Sequence, residues 1–120
     1  MADSALFIGW GSVIPGREER SLEVFNEAIG ILGRRQQDGS IERFDVVLMH
    51  PNGHMGGYMQ VTGSPEQIAG LRADEEWRRN TVDAQMVVED LRHLEGATGG
   101  AIAGEVTMFQ EAIGKVAHMA

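Results

Sequence analysis

Apolar side chains near the start of the chain recur with the two-residue period of a β-strand. In residues 5–14 they occupy both alternating sets of positions, a pattern typical of a strand that is covered on both faces. Trp10 stands between Gly9 and Gly11, and we expect these small residues to leave open volume beside its ring. The segment therefore predicts a first strand whose second face needs a cover.

A period of 3.6 residues replaces this alternation in residues 17–37 and predicts a helix there. The apolar stripe of this helix is formed by Leu22, Phe25, Ala28, Ile29 and Leu32. Gly30 and Gly33 interrupt the helix, and each costs about 1 kcal/mol relative to Ala. We therefore expect close packing against a sheet to require these two glycines.

A second helical segment begins with the capping signature Ser-Pro-Glu-Gln at residues 64–67. Ser64 is the predicted N-cap and Gln67 its reciprocal partner in a capping box. Ile68, Ala69 and Leu71 give this helix a buried side. A restart near Asp74 brings Trp77 round to the core.

Two strands between these helices form a predicted hairpin, with ranges 41–50 and 54–62. The connecting residues 51–53 include Asn and Gly, which tolerate the positive φ of a short loop. With Asn52 at the centre, the predicted cross-strand pairs are Val46 with Tyr58, Phe44 with Gln60, and His50 with His54. The opposite face then carries Val47, Met49, Met55, Met59 and Val61, with Arg43 and Asp45 towards its far end. A shift of one residue in this pairing would move the side chains of one strand to the other face of the hairpin.

The remaining elements are a last strand at 87–94, a glycine-rich run at 96–104 and a tail helix. The order strand, helix, two strands, helix, strand predicts an α+β sandwich of βαββαβ connectivity, with two helices on one face of a four-stranded antiparallel sheet. We expect a single domain over residues 1–120, with a core at about 5–95 and a C-terminal helical extension at about 100–117. The apolar residues of the tail helix are Ile102, Val106, Phe109, Ile113 and Val116.

The charge balance narrows the classes of partner. A net charge of −8, with the ten basic residues scattered, disfavours binding to nucleic acid or to an anionic membrane surface. The absence of Cys excludes disulfides, a thiolate nucleophile and cysteine metal ligands. The first residues lack a basic leader region, and no apolar run reaches the roughly 18 residues of a membrane span. We therefore expect a cytoplasmic protein.

The chain resembles the dimeric α/β-barrel superfamily of ferredoxin-like domains, closest in pattern to uncharacterised bacterial members related to antibiotic-biosynthesis-type monooxygenases. The resemblance rests on the stretches ALFIGWG at 5–11, PGRE at 15–18, HPNGHMGGY at 50–58 and the segment 71–77. It implies a homodimer in which two sheets pack face to face, which is the cover that the doubly apolar strands need. It assigns no catalytic residue.

His50 and His54 are the first candidates for chemistry, because two imidazoles across a turn can begin a zinc or nickel site. No nearby Asp, Glu or His is clearly placed to supply a third protein ligand. We therefore predict that both are polar residues of the hairpin loop, and we predict no metal or other cofactor.

A polar set in the sheet is the candidate ligand site. It consists of Arg43, Asp45, Tyr58 and Gln60 with Trp10 beside them, and of His93 in the last strand as a possible base. The alternative is that Arg43 and Asp45 pair near a strand end, Tyr58 fills a dimer interface and His93 is solvated.

Three functions stay open at this point. The leading hypothesis is a homodimer that binds a small apolar molecule between its sheets. The second is a cofactor-independent oxygenase on the same scaffold, and the third is a structural or interaction module. The glycine-rich run lacks the Lys-Ser/Thr ending of a phosphate loop, and no serine stands in a Gly-x-Ser-x-Gly elbow.

Overall fold

The computed structural model describes residues 3–119, and the side chains of residues 3–116. Met1, Ala2 and Ala120 of the predicted domain lie outside the described residues. The elements are β1 (Ser4–Trp10), α1 (Glu18–Gln37), β2 (Arg43–Leu48), β3 (Gly57–Gly63), α2 (Pro65–Ala73), α3 (Glu75–Gln85), β4 (Arg92–Ala97), a 3-10 turn (Gly99–Ala101) and α4 (Ile102–Met119). The strands form one antiparallel sheet in the order β2-β3-β1-β4. The predicted α+β sandwich is confirmed.

The helix boundaries follow the capping signals in the sequence. The Gln67 N–H donates to Ser64 Oγ at 3.1 Å and the Ser64 N–H donates to Gln67 Oε1 at 2.8 Å, which completes the predicted capping box. The Asp74 carboxylate accepts from the Glu76 N–H at 3.0 Å and caps α3. Asp74 thus divides the segment into α2 and α3, as predicted.

The sheet has an inner face that packs on the helices and an outer face directed away from them. Inner-face residues Leu6, Ile8, Met59 and Val61 are all buried. The helices complete this core with Ala28, Ile31, Leu32, Ile68, Leu71 and Trp77. The register places on the outer face the side chains of Phe7, Arg43, Asp45, Val47, Tyr58, Gln60 and Leu94.

The predicted hairpin register is wrong by one residue. Val46 pairs with Met59, and Val47 pairs with Tyr58. The centre of the connection lies between Asn52 and Gly53 because the Asn52 side chain organises the loop. Its Nδ2 donates to the carbonyls of His50 and Met55 at 2.8 Å, and its Oδ1 accepts from the His54 and Met55 N–H groups at 2.8 and 2.9 Å. Gly53 has φ +79°, the left-handed conformation that Gly adopts without strain.

The predicted bounds of the first and last strands of the chain are also wrong. β1 ends at Trp10 rather than at residue 14, and β4 begins at Arg92 rather than at residue 87. Residues 11–14 and 87–89 still pair through short backbone hydrogen bonds of 2.8–2.9 Å. Asp90, with φ +56°, separates this irregular pairing from the regular ladder because the left-handed backbone turns the strand.

The buried stripe of α1 differs from the predicted one. Val24 and Ile31 are buried, whereas Leu22 is 63% exposed because it lies at the rim of a cavity described below. The expected close packing at Gly33 is wrong, since a Cβ there would meet no described atom within 4 Å. At Gly30 the nearest such atom is the flexible Arg34 Nη1 at 3.6 Å.

Replacing Gly33 with Ala is therefore expected to raise the free energy of unfolding by about 1 kcal/mol, because Ala is the better helix former and has space for its methyl group. Chemical denaturation at one fixed protein concentration measures the change. Gly39→Ala is the matched contrast, since Gly39 has φ +81° and an L-residue there costs about 1–2 kcal/mol. Destabilisation by Gly33→Ala would contradict an open helix surface.

The helix α4 projects from the sandwich and contacts mainly the 3-10 turn before it. The radius of gyration of 17.1 Å accordingly exceeds the roughly 14 Å of a compact domain of this length. Large apolar side chains of α4 are exposed, namely Ile102, Val106, Met108, Phe109, Ile113 and Val116. None of the described helices has the length and hydrophobicity needed to cross a membrane.

Candidate functional site

A cavity of about 220 Å³ lies between the inner face of the sheet and the helices α1 and α3. Its lining is mainly apolar and aromatic, which suits a small apolar molecule. The sheet contributes Ile8, Trp10, Leu48, Met59 and His93, and the helices contribute chiefly Leu22, Phe25, Trp77, Asn80, Thr81 and Ala84.

Two aromatic pairs form opposite parts of the wall. The rings of Trp10 and Phe25 meet edge to face, with centroids 6.0 Å apart and planes at 65°. The rings of Trp77 and His93 are tilted by 34° with centroids 6.2 Å apart. These contacts join β1 to α1 and α3 to β4, so the fold itself holds the wall in place.

The Trp10 indole rests on two glycines of the hairpin. A Cβ at Gly57 would lie 2.8 Å from Trp10 Cζ2, and one at Gly56 would lie 3.0 Å from Trp10 Nε1. The distance at Gly57 is too short for a side chain, and at Gly56 the Gly11 carbonyl oxygen also blocks a Cβ, so glycine permits this close approach. Gly9 has another role, because a Cβ there would lie 2.7 Å from the Phe7 ring.

The helix α3 is positioned against α1 by polar contacts. Arg35 and Asp74 form an ion pair in which Arg35 Nε donates to Asp74 Oδ2 at 2.8 Å. The buried Asn80 donates from Nδ2 to the Val24 carbonyl at 3.1 Å. Because a buried amide left unpaired costs free energy, the Asn80 bond fixes the distance between the helices at the cavity.

The polar atoms available to a ligand are few. Thr81 Oγ1 already donates to the Trp77 carbonyl at 3.0 Å, and Ser21 Oγ donates to the Glu18 carbonyl at 2.7 Å. Among the described residues, Asn80 makes no side-chain hydrogen bond other than the one to Val24, which leaves its Oδ1 as an acceptor. Asn80 Oδ1 and the His93 imidazole are therefore among the few polar groups that the cavity offers.

Burial lowers the pKa of His93 below its ordinary value, and the positive charge of Arg72 lowers it further. The imidazole is therefore neutral at pH 7. A neutral imidazole beside an apolar cavity can accept a proton from a bound molecule or exchange a hydrogen bond with it.

The structure divides the predicted ligand residues between the two faces of the sheet. Trp10 and His93 line the cavity on the inner face. The other four predicted residues lie on the outer face, namely Arg43, Asp45, Tyr58 and Gln60. The expectation of one set around Trp10 is therefore wrong, because the pairing of β1 with β3 matches Gly9 with Tyr58 and so puts Tyr58 and Gln60 on the face opposite Trp10. The one-residue slip in the hairpin brings Arg43 and Asp45 onto that same outer face.

The outer-face residues contact one another in a different arrangement. Arg43 Nε donates to Thr62 Oγ1 at 3.2 Å and lies 4.0 Å from the exposed carboxylate of Asp45. The Tyr58 ring stacks on the Phe7 ring, with centroids 5.3 Å apart. This set joins an aromatic stack to polar groups and encloses no described cavity.

Phe25, Trp77 and Asn80 are cavity residues that the sequence reasoning did not identify as such. One signal was present, because Asn80 stands three residues after the buried Trp77 and so shares its side of α3. His50 and His54 are exposed in the loop between β2 and β3. Within residues whose placement is described, no three His, Asp or Glu side chains gather as a metal site would require.

Three solved structures are similar to this chain. A dimeric protein of unknown function with a ferredoxin-like fold, from Bacteroides fragilis NCTC 9343, has a TM-score of 0.62 at 11% identity, over 80% of this chain and 96% of that chain. A candidate antibiotic biosynthesis monooxygenase from Chloroflexus aurantiacus J-10-fl has a TM-score of 0.55 at 14% identity, over 81% and 94%. SnoaB, a cofactor-independent oxygenase from Streptomyces nogalater, has a TM-score of 0.55 at 12% identity, over 82% and 94%.

These similarities confirm the ferredoxin-like fold that the sequence resemblance implied. At 11–14% identity they establish the fold alone. No protein-family model matches the chain, and no curated protein has a sequence that matches it.

Proposed function

We propose that each protomer binds one small, largely apolar aromatic molecule in the cavity between the sheet and helices α1 and α3. The observation that carries this proposal is the cavity itself, with aromatic walls and few polar groups, among them Asn80 and His93. A pocket of this composition favours a ligand with an apolar body and one or two hydrogen-bonding atoms. The ligand then lies within a protomer, and not between two sheets as the sequence analysis expected.

The working unit is a homodimer in this proposal. The outer face is unpaired in the protomer and carries the Phe7–Tyr58 stack beside the 56% exposed Leu94. A second copy of the same face can cover these groups through a two-fold axis, since such an interface is self-complementary. The dimeric state of the ferredoxin-like protein from Bacteroides fragilis supports this assembly.

Calorimetric titration with 1-naphthamide, a neutral bicyclic aromatic, tests the binding site. Saturable binding of one molecule per protomer is expected, and Ala84→Phe should weaken it at least tenfold because the larger side chain occupies the cavity from α3. The matched control is Ala69→Phe on α2, where the structure exposes Ala69 and the predicted burial of this residue is wrong. This variant should bind as the unmodified protein does. Equal affinity in the two variants would contradict the proposed site.

Cofactor-independent oxygenation is a second candidate function, favoured by the convergence of Trp10, Trp77 and neutral His93 in one cavity. His93 would remove a proton from an acidified methylene group, and the resulting carbanion would react with dioxygen. In the net reaction, a CH₂ group and O₂ are converted into a C=O group and H₂O. Dioxygen is the oxidant, and the substrate carbon supplies all four electrons.

Oxygen uptake separates this candidate from simple binding. An aromatic compound with an acidified methylene group should consume oxygen with the unmodified protein, whereas the His93→Gln variant should bind it without uptake. Binding without oxygen uptake by the unmodified protein would leave the ligand-binding function alone.

A further inference from the structure

An open cleft of about 720 Å³ adjoins the apolar cavity at the surface of α3. Trp77, Thr81 and His93 line both spaces, so the cleft and the cavity meet at these three side chains. The shared lining places the cleft next to the cavity on the side of α3 and His93.

The cleft is rich in arginine, although the chain carries a net charge of −8. Its charged lining consists of Arg72, Glu75, Arg78, Arg79 and Asp83, with His93 held neutral by burial. A few charged groups beside an apolar pocket can fix the orientation of a bound molecule.

Every charged side chain in the lining of the cleft except that of Arg78 forms an ion pair. Arg79 Nη2 lies 2.6 Å from Glu75 Oε1, and Arg72 Nη1 lies 3.0 Å from Glu95 Oε1. Asp83 Oδ2 lies 3.2 Å from an Arg20 guanidinium nitrogen. Among the described side chains, Arg78 forms no ion pair, so its guanidinium is the one in the cleft that is free to bind an anion.

We infer that the ligand of the cavity is an anion with an apolar aromatic body, and that Arg78 binds its carboxylate or similar group in the cleft. This inference rests on the proposed function and names the class of its ligand. The charge of the ligand stays in the cleft because an unpaired charge inside the apolar cavity would be costly. The planar guanidinium suits a carboxylate, which it can bind through two parallel hydrogen bonds.

The test compares 1-naphthoate with 1-naphthamide, two compounds of nearly the same shape that differ in charge. Calorimetric titration of the full chain at low ionic strength and pH 7 should show tighter binding of 1-naphthoate. The Arg78→Gln variant should lose about fivefold in affinity for 1-naphthoate and keep its affinity for 1-naphthamide, because only the charged compound uses the guanidinium. Arg34→Gln removes the same charge from α1, outside the cleft, and should change neither affinity.

The possible outcomes distinguish the proposed binding in the cavity from the proposed role of Arg78. Equal binding of both compounds, unchanged in Arg78→Gln, overturns the anion inference and leaves the cavity proposal standing. A preference for 1-naphthoate that persists in Arg78→Gln overturns the role of Arg78. Failure of both compounds to bind the unmodified protein overturns the cavity proposal and the inference together.

Discussion

Replacement of Trp77 with Ala is expected to lower the free energy of unfolding by about 3–5 kcal/mol. Trp77 is 4% exposed and belongs to the main core cluster, where it also contacts the His93 ring. Its removal would join a new void to the existing cavity of about 220 Å³, and the fixed sheet and helices cannot collapse to fill it. Urea denaturation, followed by circular dichroism at one protein concentration, measures the change.

The control for this prediction is Val82→Ala on the same helix. Val82 is 51% exposed, so its truncation should alter the free energy of unfolding by no more than about 0.5 kcal/mol. Trp77→Phe should lose less than Trp77→Ala because it keeps an aromatic ring against His93. A loss below about 1 kcal/mol for Trp77→Ala would contradict a well-packed core at this cavity wall.

The elements of the fold were predictable because local signals encode them. The capping box at Ser64 and the cap at Asp74 act within a few residues of the chain, and the structure forms both as expected. The βαββαβ order then leaves few arrangements of four strands and one helical layer. The apolar residues on both faces of β1 correctly indicated that the outer face carries apolar side chains such as Phe7.

The faces of the hairpin were not predictable to the same degree. Strand periodicity is two residues, so a change of one residue in the loop centre exchanges every side chain between the faces. The four hydrogen bonds of the Asn52 side chain set that centre, and their geometry depends on the folded loop. Tyr58 consequently pairs with Val47. Its position beside Phe7 and away from Trp10 follows from the pairing of β1 with β3, in which Tyr58 lies opposite Gly9.

Only some of the residues that line the cavity could be predicted from the sequence, because the others are brought there by tertiary contacts. Trp10 was identified from the small residues Gly9 and Gly11 on either side of it, and His93 as a possible base in the predicted last strand. Phe25 and Asn80 come from two helices whose relative placement depends on tertiary contacts, above all the Asn80 bond to the Val24 carbonyl. The close approach of the Trp10 ring is permitted by Gly56 and Gly57, at the start of β3. Gly9 and Gly11, the neighbours of Trp10 in the sequence, do not make room for the ring.

The proposed homodimer makes a prediction about mass. Light scattering at micromolar concentration should give twice the chain mass of 13.1 kDa. Leu94→Lys should shift the protein to the single-chain mass, or weaken the dimer at least tenfold, because Leu94 is on the outer face opposite Phe7. Two-fold symmetry introduces the lysine twice in one interface, where each charge must be desolvated.

Met86→Lys is the matched control for the dimer. Met86 is 55% exposed, almost the same as the 56% of Leu94, but it follows α3 and does not belong to the sheet. A lysine at the C-terminal end of a helix is also electrostatically favourable, so this variant should fold and keep the mass of the unmodified protein. Dissociation by Leu94→Lys alone would assign the interface to the outer face. Dissociation by both variants, or by Met86→Lys alone, would place it elsewhere, and a stable monomer of the unmodified chain would overturn the homodimer.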